Sequence, residues 1–394
     1  MINFKNRLLR PATLLALFFL VSSTAFSADN PHLGLTEIVS LKSVGQAEMS
    51  PNGDAIAYVL SVPRALYQDE DGSAYRQLHV VDLEGNSRAY FSGKVSVSSV
   101  AWSVDGNDIY FLGKRDLKAD FSDVFKISLH GGEAEVVYKA ESAIKSIAPS
   151  TDGKTIAFLA KDPKPKDDKA VAEKGFKALV YEESEKPVRV WLLDLESGKA
   201  EAQDLNGSAS ALEWAPDSSH YAVALAPTPL IDDEYMNRDI FVVSAKNAKI
   251  RNQLDLVGKM GMFRWSPDGS RIARIGAQDI NDPSEGRLYT ASAKGGERSE
   301  VVPNYMGHIN DFYWQDAGSI AWTGARGVWT ETGRAFLDNV QPAGDAPDSG
   351  VIIRSIDAYP GQQAAAAIAD SPSHPAEVFL LKSGSAPVRL THSN

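Results

Sequence analysis

The sequence predicts an all-β chain folded as a seven-bladed β-propeller of four-stranded antiparallel blades, and three observations predict it. A strand, a tight turn bearing Pro-Asp-Gly or a relic of it, and a second strand recur along the chain, most clearly at Trp265–Ala273 and Met49–Tyr58. Successive turn positions (Gly53, Gly106, Gly153, Ser218, Gly269, Gly318, Gly361) are 53, 47, 65, 51, 49 and 43 residues apart, near the length that a four-stranded blade needs. Apolar residues at helical spacing are almost absent, which argues against a helical solenoid.

Each copy follows the same logic. Pro51, Pro216 and Pro267 fix φ, the following Asp or Asn bonds the nearby backbone, and Gly accepts positive φ. Val100–Gly106, Ile147–Gly153 and Leu212–Ser218 are the second, third and fourth copies. Phe312–Gly318 is a worn sixth copy, and Ile356–Gly361 a faint seventh. The large residue before each turn, Trp102, Trp214, Trp265 or Trp314, fills the gap between neighbouring blades. The second half of each unit is a β-branched or aromatic run closed by a Gly or Asn turn, such as Leu78–Leu83 before Gly85, Val190–Leu195 before Gly198 and Val378–Leu381 before Gly384, a hairpin signal. Each unit supplies its own four strands, so no strand is exchanged between the chain ends. Blade one begins near Val44 and blade seven ends near Thr391. Apolar packing between blades holds such a ring shut.

Three segments stand apart. Residues 1–27 read as a secretory signal peptide: Lys5, Arg7 and Arg10 precede a short apolar run, and Ala25-Phe26-Ser27 offers the small residues at which such peptides are cut. Residues 28–43 form an N-terminal segment ahead of the propeller at 44–394. Residues 161–187 stretch the third spacing and open with a polar run punctuated by Pro163 and Pro165, with no core potential. This excursion in blade three is expected to be mobile, either a solvated loop or the lining of an entrance.

Export implies a periplasmic or secreted protein without membrane insertion after signal cleavage. With no cysteine, disulfides and a lipid anchor on cysteine are excluded. The net charge of −11 becomes −14 once the three basic signal residues are removed, which argues against nucleic acid as a partner. The chain has no H-x-x-x-H, no cysteine pair, no EF-hand loop and no glycine-rich phosphate loop, so no metal and no cofactor is expected.

Several stretches resemble a known family. Leu35–Val44 before the first Ser-Pro-Asn-Gly, Asp69–Gly72 before Leu78–Asp82, and Ser371–Phe379 through Arg389-Leu390-Thr391-His392-Ser393-Asn394 are similar to the propeller of exported prolyl oligopeptidase-family serine peptidases, in the branch of acylaminoacyl-peptidases and dipeptidyl aminopeptidases. The resemblance covers the whole chain after the signal. It implies a propeller that restricts access, so that short or unfolded peptides reach the serine of a C-terminal α/β-hydrolase domain. That domain is not found in this sequence, and no G-x-S-x-G occurs. No catalytic residue is therefore assigned, and this chain alone is expected not to hydrolyse peptides.

In dipeptidyl-type members acidic propeller residues hold the substrate ammonium. Two acidic clusters are candidates here: Asp232, Asp233 and Glu234, followed by Tyr235 and Arg238, and Glu182 and Glu183, after Tyr181 in the excursion. Both also read as solvated acidic faces. Two other readings stay open. One is a stand-alone periplasmic protein-binding module similar to the Tol-system propeller. The other is a propeller enzyme with its own channel chemistry, which needs His or carboxylates converging at the inner strand ends, and the motif copies show no such recurrence.

Overall fold

A computed structural model describes residues 34–178, 180, 182, 183, 185–340 and 350–394. The proposed signal peptide lies outside these residues. A short helix, α1 (Leu35–Ser40), precedes the first blade. Blade one comprises β1 (Ser43–Met49), β2 (Ala55–Val62), β3 (Tyr75–Asp82) and β4 (Ser87–Phe91). Blade two comprises β5 (Ser96–Trp102), β6 (Asp108–Lys114), β7 (Asp123–Ser128) and β8 (Glu135–Tyr138). Blade three has β9 (Ile144–Pro149), β10 (Thr155–Lys161), α2 (Lys166–Glu173), β11 (Val188–Asp194) and β12 (Ala200–Ala202). Blade four has β13 (Ser208–Trp214), β14 (His220–Ala226), α3 (Ile231–Met236), β15 (Asp239–Ser244) and β16 (Ile250–Leu254). Blade five has β17 (Met260–Trp265), β18 (Arg271–Gly276), β19 (Arg287–Ser292) and β20 (Ser299–Glu300). Blade six shows β21 (His308–Asp316), β22 (Ser319–Arg326) and β23 (Trp329–Phe336) among the described residues. Blade seven has β24 (Ile352–Asp357), β25 (Ala364–Ser371), β26 (His374–Lys382) and β27 (Val388–Arg389).

Every blade pairs its strands in sequence order and antiparallel, and no sheet mixes strands from the two chain ends. The seven-bladed ring without strand exchange is thus the architecture that the motif spacing predicts. The first strand of each blade touches the first strand of the next, including β24 against β1, so these seven strands line the axis. A bulge recurs at one place in five of them: Val44/Gln46, Ile144/Ser146, Ala209/Ala211, Ile309/Asp311 and Ile353/Ser355. It bends the inner strands where they crowd the axis.

Seven apolar clusters fill the seven seams between blades, each drawing on two neighbours. The tryptophans before the turns pack in these seams and also bond across them. The indole N–H of Trp102 donates to Glu48 O (3.0 Å), that of Trp214 to Ala148 O (2.9 Å), that of Trp265 to Glu213 O (3.3 Å) and that of Trp314 to Arg264 O (3.1 Å). Each carbonyl lies on the inner strand of the preceding blade. A buried indole N–H needs a partner, and the neighbouring blade supplies it.

Antiparallel order divides the connections between two faces. The turns after the first and third strands lie on one face and are tight. The loops after the second strands, the blade-to-blade linkers and both described chain ends lie on the other. The loop face carries the long segments and exposed apolar side chains such as Tyr67, Phe176, Ile231, Ile280, Met306 and Val328. The expected excursion in blade three is on this face and contains the eight-residue α2, regular structure that its polar opening did not suggest.

Candidate functional site

Period two places alternate residues of each inner strand towards the axis. The recurrent bulge fixes the equivalence between blades. Two residues after it comes Glu48 in blade one, Glu213 in blade four, Tyr313 in blade six and Asp357 in blade seven, and Arg264 takes the same place in blade five, just before Trp265. Two residues earlier in blade six stands Asp311, level with Gln46 of blade one. Inner-strand carboxylates therefore do converge, which corrects the reading that no such recurrence exists. The faint seventh copy hid it: aligned on Gly361, Asp357 falls at the Trp position itself, whereas the bulge and the buried Ile353, Ile356 and Ala358 align it with Glu48.

Arg264 is the hub. Its Nη1 donates to Asp357 Oδ1 at 3.1 Å, reaching past blade six, which is possible only near the axis. Asp357 Oδ2 in turn accepts the Met49 main-chain N–H of blade one (2.9 Å). Asp311 accepts the Ile356 N–H of blade seven (2.9 Å) and its own neighbour Phe312 N–H (2.7 Å). Gln46 donates to Glu48 (2.9 Å) and exchanges two bonds with the Val100 backbone of blade two (3.1 Å each). The Arg264 and Asp357 side chains keep 27% and 13% exposure to the channel.

Four carboxyl groups thus share one guanidinium. Burial, reinforced by the Asp357 charge, pushes Glu48 up to about 8. Burial likewise pushes Glu213 up to about 8 against the pull of Arg264. Burial raises Asp311 to about 6. Burial alone would weaken the protonation of Arg264, but Asp357, Asp311, Glu213 and Glu48 together hold it more firmly protonated than usual. Among the described residues Glu213 Oε2 is buried without a partner, consistent with a neutral carboxyl group at pH 7. Among the described residues, no three acidic or His side chains stand close enough to hold a metal ion.

The acidic residues singled out in the sequence lie elsewhere, on the loop face. Asp232, Asp233 and Glu234 form the first turn of α3. Asp233 accepts from Thr228 Oγ1 (2.5 Å) and Asn237 Nδ2 (2.8 Å), and these bonds hold its carboxyl below the ordinary range. Glu234 accepts from Ser208 Oγ (3.2 Å). Both carboxylates therefore fasten their own loop. Asp232 is exposed and, among the described residues, makes no side-chain bond. Glu182 and Glu183 form an exposed turn in the adjacent loop of blade three, with Glu182 at φ +66°. Tyr181 lies outside the described residues. The two clusters share a face and sit on neighbouring blades, but no recorded bond joins them.

Fold and channel define an open-ring β-propeller with one tight and one loop-rich face. No family model and no curated protein matches the sequence. Among solved structures, the chain is similar to the acylaminoacyl peptidase of Pyrococcus horikoshii, with a TM-score of 0.65 and 16% identity over 91% of this chain and 54% of that one. It is similar to the β-propeller domain of the Trilobed protease from Pyrococcus furiosus, described as having an open velcro topology, with a TM-score of 0.63 and 15% identity over 90% and 99% of the two chains. It is also similar to a Mycobacterium tuberculosis puromycin-hydrolyzing peptidase, with a TM-score of 0.64 and 12% identity over 92% and 54%. The chain spans about half the length of the first and third of these proteins. At such identities the likeness establishes the propeller fold, the part of those peptidases that the sequence motifs resemble.

Proposed function

We propose that this chain is the propeller portion of an exported serine peptidase of the prolyl oligopeptidase family, and that it admits short or unfolded peptides. The observation that supports this most is the pairing of matches: nearly all of a protease's isolated propeller domain, and about half of a complete acylaminoacyl peptidase. On this reading the loop face receives peptide and packs against a hydrolase domain, consistent with its exposed apolar side chains. The Arg264 cluster braces the turn-face end of the channel, so peptides enter from the loops. Asp232, Glu182 and Glu183, whose carboxylates are not engaged by the described residues, hold a peptide ammonium, while Asp233 and Glu234 keep the loop in shape. The 394 residues alone do not cleave peptides.

Fluorescence anisotropy tests this with labelled peptides of increasing length, free or acetylated at the N-terminus. Short peptides with a free N-terminus are expected to bind. Asp232→Asn combined with Glu182→Gln and Glu183→Gln is expected to weaken them about tenfold, the scale of one lost charge-assisted contact. Absence of binding to every peptide, or release of a chromophore from an aminoacyl substrate by this chain, would overturn the proposal.

A further inference from the structure

The seam between blades four and five breaks a rule that the other six obey. On the second strand of each blade, one residue points into the seam with the preceding blade. It is Tyr58, Phe111, Phe158, Val223, Trp322 and Ala367 in blades one, two, three, four, six and seven, all buried. In blade five it is Arg274, only 3% exposed. A guanidinium in an apolar seam is costly unless it is paired. Its one recorded bond runs from Nη2 to the Asp255 carbonyl at 3.5 Å, the limit of a hydrogen bond. Among the described residues Arg274 forms no ion pair.

Beside it a cavity of about 370 Å³ opens between the outer strand of blade four and the third-strand turn of blade five. Arg298 forms a second wall. Its guanidinium lies over the Tyr289 ring, 4.4 Å from the centroid, and is fixed by the Ala277 carbonyl (3.3 Å) and the Gln278 carbonyl (3.1 Å). Arg298 also forms no recorded ion pair among the described residues. A Gly-Gly turn contributes to the lining; its Gly296 has φ +113°, and a Cβ there would meet nothing within 4 Å. Burial, and then the Arg298 charge, pull the Arg274 pKa down to about 10, so the two cations oppose each other. The acidic neighbours do not settle the imbalance. Asp239 already accepts from Leu256 N–H and Gln253 Nε2, while Asp255 and Glu297 are exposed on the rim.

From this geometry we propose that the cavity is a binding site for a small oxyanion, a carboxylate or a phosphate group, held between the Arg274 and Arg298 guanidiniums. Paired guanidiniums suit the planar oxygens of a carboxylate and the oxygens of a phosphate equally. The buried cation supplies strength, and the rim cation, braced by Tyr289, supplies orientation.

Isothermal titration calorimetry of the whole chain at constant ionic strength tests this, with inorganic phosphate in one arm and N-acetylglycine in the other. Saturable binding of either is expected, and the arm that binds identifies the source of the oxyanion. Arg274→Met should weaken binding about tenfold or more. Because it restores the apolar residue of the other seams, it should also melt no lower than the parent, which separates lost binding from lost folding. Arg298→Gln should weaken binding without disturbing the seam, and Asp255→Asn should tighten it. No saturable binding in either arm, or equal binding by parent and Arg274→Met, would overturn the proposal.

Discussion

Glu213 shows how one carboxyl group can set a pH response for the ring. Its ordinary value of 4.5 is pushed up to about 8 in the fold, first by burial, and Glu48 moves the same way. A group whose folded pKa is raised by loss of solvent binds its proton more tightly in the folded state. Folding is therefore favoured below about 4.5 and progressively penalised as pH rises to about 8. Glu213→Gln removes one such group without changing its size. Its melting temperature should match the parent near pH 4 and exceed it by about 2 °C or more near pH 9, taking a gain of about 1 kcal/mol. Melting curves at both pH values decide this, and a constant offset would mean that Glu213 titrates in the fold as it does in the unfolded chain. Glu377 works in the opposite sense. Burial raises it, but bonds from Thr391, Ser393 and Arg389 outweigh burial and leave it below the ordinary range. Its contribution is present above that range and is lost in acid.

Between residue and ring, the unit is the inner strand with its closing turn, and here the sequence was most legible. The Ser-Pro-Asp-Gly turns announce themselves because Pro, Asp and Gly each satisfy a backbone demand that few other residues meet. The tryptophans were legible as seam fillers, but their indole bonds were not, because the partner is a main-chain carbonyl of another blade and leaves no trace in composition. The channel cluster was hidden for a related reason. Glu48, Glu213, Arg264 and Asp357 recur at one structural position with differing chemistry, and only the bulge register reveals the equivalence. Asp232, Asp233 and Glu234 show the converse, a conspicuous acidic run of which two members fasten their own loop. The seam tryptophans also carry a prediction. Trp265→Phe keeps the ring in the seam and gives up the bond to Glu213 O, a loss of about 1 kcal/mol. Trp265→Ala also empties the seam and should cost about 3–5 kcal/mol. Urea midpoints measure both, and equal losses would mean that the bond, not the packing, carries the seam.

Six of the seven seams join blades that follow one another in the chain, whereas the seam between blades seven and one has no covalent link. An apolar cluster containing Met49, Tyr58, Ile368, Leu380 and Leu390 fills it. Polar bonds reinforce it at three levels. On the turn face Gln362 Nε2 donates to the carbonyls of Ser50 (2.8 Å) and Pro51 (3.1 Å). Near the axis Asp357 takes the Met49 N–H. On the loop face Asn394 exchanges bonds with the Lys42 backbone (2.7 and 2.9 Å). That last clasp depends on Glu377, wholly buried, which accepts from Thr391 Oγ1 (2.6 Å), Ser393 N–H (2.7 Å), Ser393 Oγ (2.9 Å) and Arg389 Nη2 (3.0 Å) and so anchors the final strand. The Thr-His-Ser-Asn ending thus acts as a fastening. Glu377→Ala leaves Arg389 and two hydroxyls without their acceptor, and removing one partner from such a buried set costs about 3–5 kcal/mol. A ring opens where it is least tied, so the loss should be local before it is global. Hydrogen exchange should quicken first in β1, β24 and β27, with blades three and four protected until global unfolding. A uniform rise in exchange around all seven blades would mean that the ring unfolds as one unit and that this seam is no weaker than the rest.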